Sequence, residues 1–281
     1  MNRMRWRLLT KQLLEQKSAL IALIVLAILI VVALAAPLAA HDPNTIHLDK
    51  RLLPPSADHW FGTDDNGRDY FARALYGARV SLSVGVLAML VSLVIGTTVG
   101  AISGYFGGKT DSLLMRSVDI GMSVPTFFLM LILNAYMRPN IVTIVLMIGL
   151  LSWMSISRIV RAETISVKER EYVLYARVSG QSAFRIITRH IIPSIVPTII
   201  VAATVNIAGV IMMESALSFL GLGINPPHAS WGSMLNNAKG HIGDHPTLAL
   251  FPGLLILMTV LCFNYLGDVF RAAFEPKANR Q

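Results

Sequence analysis

Runs of about 20 uncharged, apolar residues recur along this chain, and no other feature limits its folding so strongly. A helix needs roughly 20 apolar residues to cross the hydrocarbon of a bilayer. Six runs of that kind can be marked, at residues 19–40, 80–108, 113–137 (interrupted by Asp119), 140–157, 194–220 (carrying Glu214) and 245–267. Lipid offers no partners to backbone amides, so each run is expected to be helical. The sequence therefore predicts an all-α, polytopic membrane protein with six transmembrane helices. Only 14% of the 281 residues are charged, against roughly 25% in soluble domains.

The first run has a rival reading. Arg3, Arg5, Arg7, Lys11 and Lys17 precede it and a small-residue tail, Ala35-Ala36-Pro37-Leu38-Ala39-Ala40, follows, as in a secretory signal peptide. Signal cores span about 7–15 apolar residues, and this longer run favours a retained anchor. Basic residues set the orientation. With the N-terminus inside, 17 Lys and Arg fall on inner segments and 7 on outer ones, and six aspartates in 41–79 offset the cations there. The positive-inside rule then places both termini in the cytoplasm. The expected organisation is a cytoplasmic segment 1–18, a membrane domain 19–270 and a cytoplasmic tail 271–281. Loops 41–79 and 221–245 lie outside in this reading, and loop 158–193 inside.

Few residues point to chemistry. Cys262 is the single cysteine, so no internal disulfide can form, and no CxxC or Cys/His metal spacing occurs. HExxH and GxSxG are absent. Gly104-Tyr-Phe-Gly-Gly-Lys109-Thr110 ends like a phosphate-binding loop, but Ser103 stands where the first glycine belongs. The expectation is a non-enzyme with no catalytic residues, no metal site and no cofactor on this chain. The net charge of +8 reflects membrane topology and does not imply a nucleic-acid partner.

The most informative segment is the basic loop 158–193. Val173, Ala176 and Val178 alternate with charges at helical spacing, and Gly180 interrupts them. Ser182 can cap a second short helix that Pro193 closes before the fifth span. Two readings stand on spacing alone: an amphipathic loop lying on anionic lipid, or a docking knob for a soluble partner.

The loop resembles the cytoplasmic coupling loop of ATP-binding cassette (ABC) importer permeases, whose pattern is Glu-Ala-Ala, three residues, Gly, and later Ile-x-Leu-Pro. Ala176, Gly180, Ile192 and Pro193 fit, while Leu174 and Tyr175 replace the first two positions. Residues 61–79, Ser218-Phe-Leu-Gly-Leu-Gly223, Pro226-Pro227, Trp231-Gly232, Phe251-Pro-Gly253 and the stretch from Phe263-Asn264 to Pro276 extend the likeness over about 20–277. Together they resemble the second, C-type permease subunit of the dipeptide/oligopeptide/nickel importers. The resemblance implies a type I importer permease fold with a coupling helix near 171–182. It implies a bacterial inner-membrane location, a second similar permease, two cytoplasmic ATPase subunits that hold ATP and Mg, and an extracytoplasmic binding protein. Short peptides are the implied substrate, with nickel or a metal–chelator complex as alternative. A stand-alone carrier or channel is the reading from another class.

The residues expected to couple to the ATPases are Glu171, Tyr172, Tyr175, Ala176, Arg177, Gly180 and Ser182. Gly96, Gly100 and Gly104 form a small-residue face suited to close helix packing, against this chain or the partner permease. Asp119 and Asp268 are expected to pair with Arg116 and Arg271 near the cytoplasmic interface. Asn206 and Glu214 either line the pathway or bond to a neighbouring helix. Asp64, Asp65, Arg68 and Asp69 either brace the outer face, meet the binding protein or remain a solvated cap.

Overall fold

Each apolar run folds into helix, and side chains or turn residues close the helix ends where backbone partners run out. The computed structural model describes residues 16–38, 41–137 and 140–274. Arg3, Arg5, Arg7 and Lys11, the pair Ala39-Ala40, Arg138 and the tail with Pro276 lie outside the described residues. Among the described residues there are ten α-helices: α1 (Lys17–Ala35), α2 (Tyr70–Phe106), α3 (Gly108–Ser123), α4 (Thr126–Tyr136), α5 (Ile141–Lys168), α6 (Glu171–Val178), α7 (Ala183–Ile186), α8 (Ile192–Phe219), α9 (Trp231–Ala238) and α10 (Thr247–Phe274). No strand occurs among the described residues.

Five segments are long and apolar enough to cross a membrane: Lys17–Leu38, Tyr70–Phe106, Ile141–Lys168, Ala183–Phe219 and Thr247–Phe274. The expected third span is not one straight helix. It is broken into α3 and α4, bent by 78°, and counts as a sixth span only if the bent pair crosses together. Pro125 is the cause: its ring drives Val124 out of the helical region, to φ −101° and ψ 129°. Pro193 likewise departs from expectation. It does not close the short helix capped by Ser182; a π turn over Ile187–Ile191 carries the chain directly into α8. Proline has no amide hydrogen for the carbonyl four residues back, and a widened turn accommodates that loss. Helix α2 begins at Tyr70, well before the apolar run at 80, and α5 continues through the expected loop residues to Lys168. At 1.5 Å per residue α2 is about 55 Å long, against about 30 Å of hydrocarbon.

Helices α2 and α5 run parallel in tight register. Gly96 opposes Trp153 and Ile156, Gly100 opposes Ser157 and Val160, and Gly104 opposes Arg161 and Thr164. A Cβ on Gly100 would stand 2.5 Å from the Ser157 carbonyl oxygen. Gly149 reciprocates on α5, where a Cβ would meet Val91 at 2.8 Å, and Ser92 donates to the Gly149 carbonyl at 3.0 Å. Helix α8 packs antiparallel against this pair, α10 packs on α8, and α1 lies outermost against α10 through Ala22, Leu26, Cys262 and Leu266. Ile21, Ile24, Ile28 and Val31 of α1 and Leu250, Leu254, Leu257 and Leu261 of α10 are exposed. Apolar rows of that extent need lipid or protein against them.

The end of the bundle bearing α9 is closed by polar groups. Trp231 is fully buried and donates from Nε1 to the Ala74 carbonyl at 3.1 Å, while Tyr70 donates to the Leu248 carbonyl at 2.6 Å. The charged cluster expected in this region is internal. Asp64 accepts from Arg68 Nε at 2.7 Å, pairs with Arg73 Nε at 3.4 Å, and accepts the backbone amides of Asn66 and Arg68. Arg73, 1% exposed, also donates to the Pro43 carbonyl at 3.1 Å. The cluster braces the loop against α2, and Phe61 stacks on Phe251 to hold it to α10.

Three stability measurements on detergent-purified protein test this packing. Gly100→Ala is expected to cost about 1–3 kcal/mol through overpacking. Gly209→Ala, where a Cβ meets nothing within 4 Å, is expected to cost nothing measurable. Asp64→Ala leaves buried Arg73 without its carboxylate and is expected to cost about 3–5 kcal/mol, read as a lowered Tm.

Candidate functional site

Loop 158–193 is a built feature, not a flexible connection. Val173 and Ala176 of α6 are buried against Ile186, Ile187, Ile191 and Val167, so one face of a two-turn helix is fixed to the bundle. Three side chains extend the attachment. The Tyr172 hydroxyl shares a hydrogen bond with Ser194 Oγ at 2.8 Å, reaching the start of α8. Arg177 lies over the Tyr105 ring at 5.5 Å, reaching the end of α2. His190 Nε2 and Gln181 Oε1 sit 3.0 Å apart across the turn.

The turn itself needs glycine. Gly180 has φ +74°, a conformation that L side chains rarely adopt. Ser182 then caps α7, accepting from the Arg185 amide at 3.4 Å. Glu171 opens α6, where a carboxylate complements the positive end of the helix. The opposite face is left bare: Tyr175 is 71% exposed, Val178 87% and Phe184 78%. Val178, expected on the same apolar stripe as Val173 and Ala176, points the other way. Helix α6 thus carries an anchored apolar face and an open one with Tyr175 and Val178, while Phe184 of α7 and Arg170, Arg185 and Arg189, close by in sequence, are also exposed.

The base of the bundle near α6 is clasped by ion pairs. Arg161 binds Asp111 through both Nε and Nη2 at 2.5 Å, and Ser103 also donates to Asp111. Asp119 pairs with Arg158 at 2.5 Å, not with the Arg116 expected from sequence, because the packing of α3 on α5 brings Arg158 to it. Among the described residues no ion pair joins Asp268 to Arg271. Lys168 donates to the Gly104 carbonyl at 2.9 Å. The sequence near Gly107 and Lys109, like the end of a phosphate loop, is the turn between α2 and α3, with φ +65° at Gly107.

Along the exposed flank of α5 and α8 lie two adjoining hollows of about 500 and 390 Å³. Both are lined by Ser155, Val205 and Asn206; Thr198, Glu163 and Arg271 line the first, and Ser152, Met122 and Thr126 the second. Asn206 Oδ1 has no hydrogen-bond partner among the described residues. Glu214 lies elsewhere. It is fully buried, accepts from Ser218 at 2.7 Å and from Ser81 of α2 at 3.2 Å, and lines neither hollow. Ser81 in turn accepts the Trp231 amide at 3.2 Å. Of the two alternatives open for Glu214, bonding to a neighbouring helix is the one its geometry meets.

Sequence reasoning named α6 but missed its attachments. Tyr105 and Ser194 lie far from it along the chain, and the Asp111–Arg161 pair joins residues fifty apart. The spacing of isolated polar residues carries no signal of such pairing.

Known proteins with this pattern identify the chain. A family described as "binding-protein-dependent transport system inner membrane component" matches residues 96–280. A second, "N-terminal TM domain of oligopeptide transport permease C", matches residues 5–55. The dipeptide transport system permease protein of Bacillus subtilis is 41% identical over 98% of this chain and 85% of its own length. The oligopeptide transport system permease protein of the same organism is 37% identical over 95% and 88%. A solved inward-facing structure of the MetNI methionine ABC transporter is similar in fold, with TM-score 0.58 and 18% identity over 70% of this chain and 94% of that one. The chain is a multi-pass membrane protein and belongs to the family of inner-membrane components of binding-protein-dependent transport systems, as a C-type permease subunit of the ABC importers.

Proposed function

We propose that this chain forms half of the translocation path of an importer for di- and oligopeptides, driven by ATP on separate subunits. In this reading it stands beside a second similar permease, with two ATPase subunits at the α6 end and an extracytoplasmic binding protein at the α9 end. Both termini are cytoplasmic, as the distribution of basic residues favours. ATP and Mg²⁺ belong to the ATPase subunits, and this chain is non-catalytic. The names of the relatives favour peptide over nickel as the cargo.

The observation that carries the reading is the two-faced helix α6. Val173 and Ala176 hold it to the bundle while Tyr175, Val178 and Phe184 face outward. An open apolar face rimmed by arginines suits a soluble partner's groove. Movement of α6 reaches α8 through Tyr172 and Ser194 and α2 through Arg177 and Tyr105. Those helices form or adjoin the wall that carries Asn206. ATP-driven closure of the partners biases a two-state bundle by acting on this loop. Along the wall, Ser152, Ser155, Thr198 and Asn206 present hydroxyl and amide groups. These suit main-chain amides, which every short peptide carries whatever its side chains.

Tyr175→Glu combined with Val178→Glu tests the coupling. Truncating a central aromatic contact commonly removes 2 kcal/mol or more, hence more than about tenfold in affinity. Co-purification of the ATPase subunits and peptide uptake are expected to fall by at least that factor, with membrane insertion and Tm unchanged. Uptake at the wild-type rate would overturn the assignment. Asn206→Leu is expected to slow peptide uptake while leaving ATPase co-purification intact, since Asn206 faces the hollows and not α6.

A further inference from the structure

At the α9 end, outside the six apolar runs, three side chains converge that no sequence motif connects. Asp69 is the N-cap of α2: its Oδ1 accepts the Ala72 amide at 2.7 Å. Its other oxygen, Oδ2, lies 2.7 Å from His59 Nδ1 and 3.8 Å from His41 Nδ1. The two imidazoles sit side by side, with ring centroids 5.2 Å apart. The three donor atoms all lie within 4.8 Å of one another.

The surrounding charges sharpen the point. The Asp69 side chain is 5% exposed, and a buried carboxylate requires a compensating cation. Arg68 and Arg73, the nearest basic residues in sequence, are both turned to Asp64. Among the described residues, only the two histidines pair with Asp69. Two imidazoles bring the same ring nitrogen towards one oxygen, His59 at hydrogen-bond distance and His41 at 3.8 Å, beyond it.

We propose that His41, His59 and Asp69 bind one divalent transition-metal ion, Zn²⁺ by preference. Two imidazole nitrogens and one carboxylate oxygen form a donor set suited to zinc and its neighbours. One ion would use both nitrogen lone pairs and balance the carboxylate together. A fourth position faces a cavity of about 510 Å³ that Asp58 and Trp60 also line. Because the ligands come from residues 41, 59 and 69, the ion staples both ends of the loop to the first turn of α2. It is a resident ion, placed away from the hollows around Asn206. The inference does not rest on the importer reading.

The test uses the full-length chain purified from membranes in detergent, treated with chelator and desalted. Titration with Co²⁺ is followed by visible absorption, and Zn²⁺ is then added as competitor. Saturable binding of one Co²⁺ per chain, displaced by Zn²⁺, is expected. His41 is exposed, so His41→Ala leaves the fold intact and is expected to weaken binding by at least tenfold. Asp69→Asn keeps a capping oxygen and is expected to do the same. His228→Ala, at an exposed histidine outside the site, is expected to change nothing. Added Zn²⁺ should raise Tm in the wild type and not in His41→Ala, since a ligand bound only to the folded state stabilises it. Absence of saturable Co²⁺ binding, or binding equal in wild type, His41→Ala and Asp69→Asn, would overturn the proposal and leave a hydrogen-bonded His59–Asp69 pair.

Discussion

The parallel approach of α2 and α5 is the constraint on which the rest of the bundle depends. In lipid, exclusion of water contributes nothing to helix association, so two long helices associate through close packing and hydrogen bonds. Gly96, Gly100 and Gly104 let α2 advance along α5 one turn at a time, from Trp153 to Thr164. The register thus fixed sets where every other element can sit. It places Arg158 and Arg161 opposite Asp119 and Asp111, which attaches α3. It brings Lys168 to the Gly104 carbonyl, which fixes where α5 ends and α6 begins. Each later contact inherits its position from that seam.

A second constraint follows from burying polar groups. Glu214 has no Lys or Arg partner among the described residues; hydroxyls of Ser81 and Ser218 surround it instead. Ser218 also accepts the Ile224 amide, and Ser81 the Trp231 amide. One chain of hydrogen bonds therefore ties α2, α8, the turn after α8 and the start of α9. A buried polar group is costly unless satisfied, and this network supplies the partners that the groups buried at the α9 end require. The α6 end is built differently, from ion pairs and a cation–π contact in more exposed positions, which solvent screens. Buried hydrogen bonds thus hold the α9 end, and more exposed charged contacts hold the α6 end.

The fold was largely legible because membrane helices announce themselves through uninterrupted apolar length. What could not be read was whatever depends on a neighbour far along the chain. The bend at Pro125 was concealed because residues on both sides of it are apolar enough to span. Pro193 has the sequence form of a helix stop, yet a π turn absorbs it. Val178 was grouped with Val173 and Ala176, yet it stands five and two residues beyond them, roughly 140° and 160° away round α6, and so points outward. Asp119 had Arg116 nearby in sequence, but the partner was decided by α5. The triad of His41, His59 and Asp69 left no trace, since its spacings of eighteen and ten residues match no local metal motif and arise only when the loop folds back on α2.

The two ends are also held by different kinds of contact. Helix α6 is only two turns long, anchored by two small apolar side chains and by single contacts to α2 and α8. The opposite end is locked by Asp64 with two arginines, by buried Trp231 and by the stacked pair Phe61 and Phe251. Between them α5 and α8 place Asn206 beside both hollows, with its Oδ1 buried and without a hydrogen-bond partner among the described residues. A buried oxygen without a partner is costly, and the hydrogen bonds around Glu214, not Asn206, hold α8 to α2.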